Sequence, residues 1–406
     1  MKSAILANRK FSIVTVINIL LFLLCPALAI IAIIAQAYMG KYRSFTVLSL
    51  SIAMVALFTP AFADIYRHTL LYFNLENYSD ALIQTNGNDF IFYTLTNFCA
   101  RCHLPFEYVS FLFVFVCYQI SFFLFRQILK KTPITKENRN TMFCVFLSFV
   151  LMVQFIAIIN GLRMATAAYV ALLAWYFFYK GNCLKGMLFY VLAVCTHFGA
   201  LLFFPIMLFT IFPIIKIKRT VFLFVSLGLL AMGGILLKIM PMSVVEALGL
   251  YEQVIGYMEE SAEKFGDVMS NNGKVAMFLE RFPYIVVTFL IIFNKIKLNA
   301  KDMSILCFAV WLSLLYYPFT VLFQRYGFFV VPLLVFISFQ HQQNRAMTRF
   351  PLMAILSSCV IMTMSYMYGY RAAFTHTKYY KMLYSSIITV PMTDTHENFK
   401  DAIVPK

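Results

Sequence analysis

The sequence predicts an all-α, polytopic integral membrane protein with about 11–12 transmembrane or re-entrant helices. Of its 406 residues, 62% are hydrophobic and 12% are charged, which leaves too few polar side chains to cover a water-exposed surface. Apolar runs such as ILLFLLCPALAIIAIIA, residues 19–35, lack the alternation of a membrane-spanning β-strand. We therefore expect residues 1–406 to form one multi-span helical domain.

Apolar segments follow one another along the chain, and an α-helix needs about 20 apolar residues to cross the hydrocarbon core of a bilayer. The first segment is too long for a signal-peptide core and has no clear small-residue cleavage site, so we predict a retained helix. Two long loops, 64–103 and 238–281, and a polar tail, 371–406, lie outside the predicted spans. Those spans are 11–37, 45–63, 104–125, 141–159, 164–179, 186–215, 220–237, 282–294, 303–319, 326–340 and 351–370.

The net charge of +16 reflects membrane topology and does not require a nucleic-acid partner. Short cytoplasmic loops of membrane proteins are enriched in lysine and arginine. About half of the basic residues fall in loops that one orientation places in the cytoplasm. These residues are Lys41, Arg43, Arg126, Lys130, Lys131, Lys136, Arg139, Lys180, Lys185, Lys216, Lys218, Arg219, Lys295, Lys297, Lys301, Arg345 and Arg349.

The same orientation places both long loops outside the cytoplasm, and most acidic residues lie in them. Three basic residues near the N-terminus, Lys2, Arg9 and Lys10, argue against it, so the inverted orientation stays open. The acidic residues of the two loops are Asp64, Glu76, Asp80, Asp89, Glu246, Glu252, Glu259, Glu260, Glu263, Asp267 and Glu280.

Segment 186–215 predicts a helical hairpin, because both of its flanking lysines are assigned to the cytoplasm. Its 30 residues are too few for two full spans of about 20 residues each. His197 then falls near the turn, where Gly199 and Pro205 mark a break in the helix. Irregular backbone at membrane depth is tolerated only inside protein or beside a water-filled cavity, so we expect His197 to line such a cavity.

Three arginines join His197 on the outer side of this topology. Arg163 lies in the short turn NGLR, Arg325 in the turn FQRYG, and Arg281 at the end of the long loop in LERFP. Ionisable groups in or beside membrane segments are costly and indicate function by default. The alternative is structural: the arginines extend to lipid headgroups, and His197 is a hydrogen-bonded packing residue.

The chemistry of these groups suits a phosphorylated lipid substrate. A guanidinium presents a planar, permanently charged fork to phosphate oxygens. A histidine can take up or release a proton near neutral pH. The sequence has no glycine-rich phosphate loop followed by lysine and no metal-ligand spacing, so a nucleotide-driven pump or a metalloenzyme is not indicated.

The block NGLRMATAAYVALLAWYFFYKGNCLKGMLFYVLAVCTHFGALLFFP, residues 160–205, resembles the EpsG/Wzy family of bacterial polysaccharide polymerases. The segments FADIYRHTLLYF and QRYGFF resemble two further parts of that family, and the likeness covers roughly residues 45–340. Two positions depart from the family pattern. Met164 stands where glutamine is usual, and Thr196 stands where an aromatic residue is common.

The resemblance implies a metal-independent glycosyltransferase with a GT-C-like architecture and no cofactor. It would join repeat units of an O-antigen, capsule or exopolysaccharide at the outer face of the bacterial cytoplasmic (inner) membrane. Its donor and acceptor would be glycans on polyprenyl diphosphate, and a chain-length regulator protein is a further candidate partner. The residues carried over are Arg163 and Arg325 on the diphosphate, His197 or Asp64 as the base, and Tyr66, Arg67, Arg281 and Tyr326 as substrate contacts.

Two further questions remain open from the sequence. The motif CARCH, residues 99–103, has the spacing of c-type haem attachment, but it can equally supply a Cys99–Cys102 disulfide or two uninvolved thiols. A flippase for lipid-linked oligosaccharides, or a ligase or acyltransferase acting on related lipids, would also use charged groups in a membrane protein.

Overall fold

All elements in the described part of the chain are helices, as the composition predicts. The computed structural model describes residues 13–61, 63–77, 89–212, 217–239, 275–276, 278–296, 298–316, 320–340, 349–371 and 383. Its α-helices are α1 (Ile13–Leu24), α2 (Pro26–Tyr38), α3 (Phe45–Ala53), α4 (Ala63–Asn77), α5 (Phe90–Arg101), α6 (Glu107–Lys131), α7 (Arg139–Leu151), α8 (Phe155–Asn160), α9 (Leu162–Tyr179), α10 (Cys183–Thr196), α11 (Phe204–Ile211), α12 (Arg219–Ile239), α13 (Phe282–Ile292), α14 (Ala300–Tyr316), α15 (Thr320–Gln340) and α16 (Arg349–Gly369). Short 3-10 helices cover Met54–Phe58 and Phe198–Phe203.

Five described stretches are long and apolar enough to cross a membrane: Glu107–Lys131, Arg139–Asn160, Leu162–Tyr179, Leu322–Gln340 and Arg349–Gly369. Seven shorter apolar helices accompany them in the described residues. This pattern confirms an all-α, polytopic membrane protein.

The first predicted span, 11–37, is a hairpin of two helices and not one helix. Pro26 has no backbone N–H to continue the hydrogen-bond ladder, so α1 ends before Cys25 and α2 begins at Pro26. The side-chain amides of Asn18 and Gln36 exchange two hydrogen bonds of 2.9 and 2.8 Å, and Asn18 also donates to the Ser44 hydroxyl at 3.0 Å. The two helices therefore fold back on each other, with Asn18 fully buried between them.

Segment 64–103, predicted as a loop between spans, is largely helical where it is described. Helices α4 and α5 occupy its two ends, and they pack on each other. Neither is long and apolar enough to count as a span. Most of the second predicted loop, 238–281, and of the predicted tail, 371–406, lies outside the described residues.

Helix α9 forms the centre of the bundle, where it packs on α6, α10 and α15. Five alanines at positions 165, 167, 168, 171 and 174 are fully buried, and such small side chains let neighbouring helices approach closely. On α10, a Cβ at Gly186 would lie 2.6 Å from the Phe178 ring, so this contact requires glycine. Trp175 Nε1 donates to the Thr210 hydroxyl at 3.0 Å and fixes α11 to the same helix.

The predicted hairpin at 186–215 is described as far as residue 212, and its helical path breaks at His197. The residue adopts an extended backbone, φ −159° and ψ 126°, between the end of α10 and the 3-10 helix Phe198–Phe203. Pro205 then lies in the first turn of α11, where its missing N–H costs no hydrogen bond. The break directs the His197 side chain toward Asp89, the residue that precedes α5.

Candidate active site

The carboxylate of Asp89 joins the two groups that the sequence singled out. Its Oδ1 lies 2.6 Å from His197 Nδ1, and its Oδ2 accepts a hydrogen bond of 2.7 Å from Arg163 Nη1. The backbone N–H of Phe198 also donates to Oδ1, at 3.2 Å. We call Asp89, Arg163 and His197 the carboxylate cluster.

Each member of the cluster lies where a helix begins or ends. Asp89 immediately precedes α5, Arg163 is in the first turn of α9, and His197 follows α10. Gly161 separates α8 from α9, so the predicted NGLR turn is present and Arg163 begins the next helix. These helix ends bring the three side chains together because α10 packs on both α5 and α9.

The hydrogen-bond pattern determines which histidine nitrogen is available for chemistry. An ionised carboxylate only accepts, so Nδ1 carries the proton that is shared with Asp89. In the neutral ring, Nε2 is then the unprotonated nitrogen. A Cβ at Gly199 would lie 3.1 Å from Nε2 and 3.0 Å from Met164 Sδ, so any side chain at this position would crowd the ring, and glycine avoids that contact.

The environment keeps Asp89 ionised. Burial, the largest influence, raises the pKa of its carboxyl, but the His197 hydrogen bond and charge, the Arg163 charge and the Phe198 N–H together hold the pKa below its usual value. The side chain of Asp89 is 7% exposed, compared with 17% for His197 and 23% for Arg163. The partly exposed members of the cluster are therefore the histidine and the arginine, and the carboxylate is the most buried of the three.

Aromatic side chains of α5 support Arg163. Its guanidinium lies 5.5 Å from the centre of the Phe92 ring and makes a longer hydrogen bond of 3.4 Å to the Tyr93 hydroxyl. The His68 ring of α4 packs on Phe92 from a centroid distance of 4.7 Å.

Helix α4 thus flanks the cluster and carries three predicted site residues. Tyr66 is half-buried and Arg67 is exposed on this helix. The side chain of Asp64, the alternative base, lies outside the described residues. Of the two candidate bases, His197 and Asp64, the structure describes the side-chain contacts of His197 only. The roles of the α4 residues stay predictions.

A second polar cluster forms where α13 and α15 begin. Arg281 precedes α13, is 8% exposed, and places its guanidinium 4.8 Å from the Phe323 ring centre. Its neighbour Glu280 accepts a hydrogen bond of 2.7 Å from Gln324 Nε2. Arg325 is half-buried within α15 and does not lie in the predicted turn, because this helix begins already at Thr320.

Tyr326, predicted as a substrate contact, has no exposed surface in the structure. Its ring packs 5.7 Å from Phe203 and 5.1 Å from Tyr316. Phe203 belongs to the 3-10 helix that follows His197, so Tyr326 packs α15 against the segment that begins at His197. The structure thus gives Tyr326 a packing role behind the site.

We expect Glu280→Gln to change how the stability of the protein depends on pH. Glu280 lies outside the membrane-spanning helices, and burial raises its pKa from 4.5 to about 7 against the opposing effects of Gln324 and Arg281. Between these two values the folded state binds more protons than the unfolded state, so stability falls as the pH rises through the window. Glutamine does not titrate and keeps an acceptor for Gln324.

The measurement is the thermal unfolding midpoint of both proteins in detergent, from about pH 5 to about pH 8. The free energy of unfolding of the variant, relative to that of the wild type, should increase across this range by up to about 3 kcal/mol. The increase is smaller if water reaches the carboxylate in the folded protein. A difference that stays constant with pH would show that Glu280 titrates alike in the folded and unfolded states.

The CARCH motif forms no disulfide, since Cys99 and Cys102 are both free thiols, the first buried and the second exposed. Within the described ranges, no three His, Cys, Asp or Glu side chains are grouped so that they could hold a metal ion.

From the sequence, Asp89 was identified only as one of the acidic residues of a long loop. In the structure it is the centre of the carboxylate cluster. A usable signal was its place directly before the apolar helix α5, where aspartate is a favoured N-terminal residue. No local pattern relates it to residues 74 and 108 positions away.

Residues 42–386 match the model of the EpsG family, which covers most of the chain. No curated protein and no solved structure gives a significant match. The predicted likeness to GT-C architectures therefore stays a prediction.

Proposed function

Because the chain belongs to the EpsG family, we propose that it is a membrane glycosyltransferase that polymerises glycan repeat units carried on polyprenyl diphosphate. The observation that carries the proposal is the Asp89 carboxylate, which holds a histidine base and an arginine cation side by side. Glycosyl transfer from a lipid diphosphate needs these two functions, one for the attacking hydroxyl and one for the leaving group.

In this mechanism His197 Nε2 accepts the proton of the acceptor hydroxyl. Asp89 orients the ring through Nδ1 and stabilises the positive charge that the ring gains. Gly199 carries no side chain that would crowd Nε2. The hydroxyl oxygen then bonds to the anomeric carbon of the donor.

The bond from that carbon to the diphosphate oxygen breaks in the same step, and both electrons leave with the diphosphate. Arg163 uses Nη1 for Asp89, which leaves its other guanidinium nitrogens to donate to phosphate oxygens. Arg325 and Arg281 add positive charge at the start of α15 and α13. Such fixed donors stabilise charge that develops in the transition state.

The proposed reaction takes place on the outer face of the cytoplasmic membrane. The loop charges support this orientation, with Lys180 and Lys185 inside and segment 64–103 outside. The α1–α2 hairpin also changes how the basic N-terminal residues bear on the orientation. Helix α1 starts on the side of the membrane where α2 ends, next to Lys41 and Arg43. The basic residues that precede α1 then favour the same orientation.

Two native cysteines provide a test of this topology. Cys102 and Cys183 are both exposed, and the proposal places Cys102 outside and Cys183 in the cytoplasm. In intact cells, a variant that keeps only Cys102 should react with a membrane-impermeant maleimide, and a variant that keeps only Cys183 should react only after permeabilisation. The reverse pattern would move the carboxylate cluster to the cytoplasmic face.

The function itself is tested by the surface glycan of the host after deletion of the gene. Loss of a polymerase leaves single repeat units on the cell surface, whereas loss of a ligase leaves none and loss of a flippase leaves little of either. We expect single units, and a normal ladder when the wild-type chain is restored. Either of the other two glycan profiles would assign the protein to that alternative class.

A further inference from the structure

An elongated apolar cleft of about 440 Å³ lies between α12 and α13, and no member of the carboxylate cluster lines it. From Arg281, the residue before α13, the lining positions run along this helix through Tyr284, Ile285, Thr288 and Phe289 to Ile292. These recur at helical spacing and form one face along the whole helix, about 16 Å at 1.5 Å per residue. The cleft therefore extends as a groove along α13.

The other walls of the cleft are almost entirely apolar. Helix α12 contributes Leu223, Leu227 and Leu230, and α14 contributes Val310 and Leu314. Ser226 also lines the cleft, but its hydroxyl accepts a hydrogen bond of 3.2 Å from Trp311 Nε1. Among the lining residues, Arg281 alone carries a permanent charge, and it lies at one end of the stripe.

This arrangement suits a long apolar molecule with a negatively charged head. Several apolar lining residues, such as Leu227 and Ile285, are more than 40% exposed, so the cleft is open along its length. Arg281, in contrast, is 8% exposed. Its guanidinium lies over the Phe323 ring and acts on the Glu280 carboxylate, and its five N–H donors suit the oxygens of an anionic head at this end of the cleft.

We infer that this cleft binds the isoprenoid chain of a lipid-linked substrate, with the diphosphate of that substrate at Arg281. The inference rests on the proposed function, which requires polyprenyl diphosphates. A single stripe between two helices holds one chain, and a polyprenyl diphosphate has one chain, whereas a membrane phospholipid has two. Its diphosphate also carries more negative charge for Arg281 than a phosphodiester headgroup does.

The test uses the purified full-length protein in detergent and a photoreactive polyprenyl diphosphate that carries no sugar. Crosslinks should map to peptides that contain Leu227, Ile285, Thr288 or Val310. Unlabelled polyprenyl diphosphate should compete at least about tenfold better than phosphatidylglycerol, because both the single chain and the diphosphate are recognised. Crosslinks scattered over exposed helix faces, or equal competition by phosphatidylglycerol, would overturn the inference.

A steric variant gives a second measurement. Thr288→Trp fills the middle of the cleft and should lower the crosslink yield at least about tenfold. The control is Leu188→Trp, on an exposed face of α10 that lines no described cavity, and it should leave the yield unchanged. If Thr288→Trp does not accumulate, the crosslink map of the wild-type protein still decides the question.

Polymerisation is measured in the same preparations, so that the two hypotheses fail separately. Thr288→Trp with wild-type polymer synthesis would overturn the cleft assignment and leave the proposed function intact. The opposite outcome is that the wild-type protein crosslinks in the cleft but deletion of its gene leaves the glycan ladder unchanged. That outcome would contradict the proposed function and would keep the assignment of a lipid-diphosphate site.

Discussion

Replacing Asp89 by asparagine is expected to lower the rate of polymerisation by about 10²- to 10⁴-fold, the usual contribution of a well-placed general base. The asparagine amide can donate to His197 Nδ1, which moves the ring proton to Nε2 and removes the free base. The variant also leaves Arg163 without its anionic partner. The measurement is the rate of glycan elongation in membranes that are supplied with lipid-linked repeat units.

A purely structural role for Asp89 is separated from this by the double variant. If Asp89 acts mainly through His197, the loss in Asp89→Asn combined with His197→Gln should be far smaller than the product of the two single losses, because residues that act as a unit are strongly non-additive. The loss that remains beyond His197→Gln reports the missing partner of Arg163. Independent, multiplying losses would contradict the mechanism. Gly199→Ala provides a steric comparison, since its methyl group would crowd Nε2 while the Asp89 bond stays in place. It should reduce the rate without reducing the amount of protein in the membrane.

Arg163→Lys is expected to lower the polymerisation rate by about 10²- to 10³-fold, or about 2.7–4 kcal/mol of transition-state stabilisation. The guanidinium can bond Asp89 through Nη1 and still present other nitrogens to the diphosphate. A lysine has a single ammonium on a flexible stem and cannot hold both partners in the same geometry. We expect Arg325→Lys to show a loss of the same order, because its proposed role also depends on the fork.

The control for this pair is Arg101→Lys, an exposed position at the end of α5. An arginine that only interacts with headgroups tolerates lysine, since both side chains reach the membrane surface. Arg281→Lys is expected to be milder than the other two site variants. Normal glycan ladders from both Arg163→Lys and Arg325→Lys, at wild-type protein levels, would remove the arginine-clamp mechanism.

Composition and the length of the apolar runs were by themselves sufficient to identify an all-α membrane protein. A sequence with 62% hydrophobic residues cannot present a polar surface, and helices satisfy all backbone groups within one segment. Local signals also predicted the break near His197, because a 30-residue stretch between two lysines assigned to the same side of the membrane is too short for two spans. Such features depend on neighbours along the chain, and they were confirmed where the structure describes them.

Other local features required the packed structure to interpret. The single span expected at 11–37 is a hairpin, since Pro26 ends a helix that hydropathy alone extends through it. Arg325 lies within α15 and not in a turn, and Tyr326 is buried against Phe203. Hydropathy reports how apolar a segment is, but it does not report which face of a helix meets a neighbour.

The site was determined by tertiary structure alone. Asp89, Arg163 and His197 are separated by 74 and 108 residues, counted from the aspartate, and they meet only because three helix ends pack at one place. The sequence supplied the arginine and the histidine as candidates because an isolated charge in an apolar chain is costly wherever it lies. The partner that offsets this cost is chosen by three-dimensional proximity, which no periodicity or spacing within a single segment encodes.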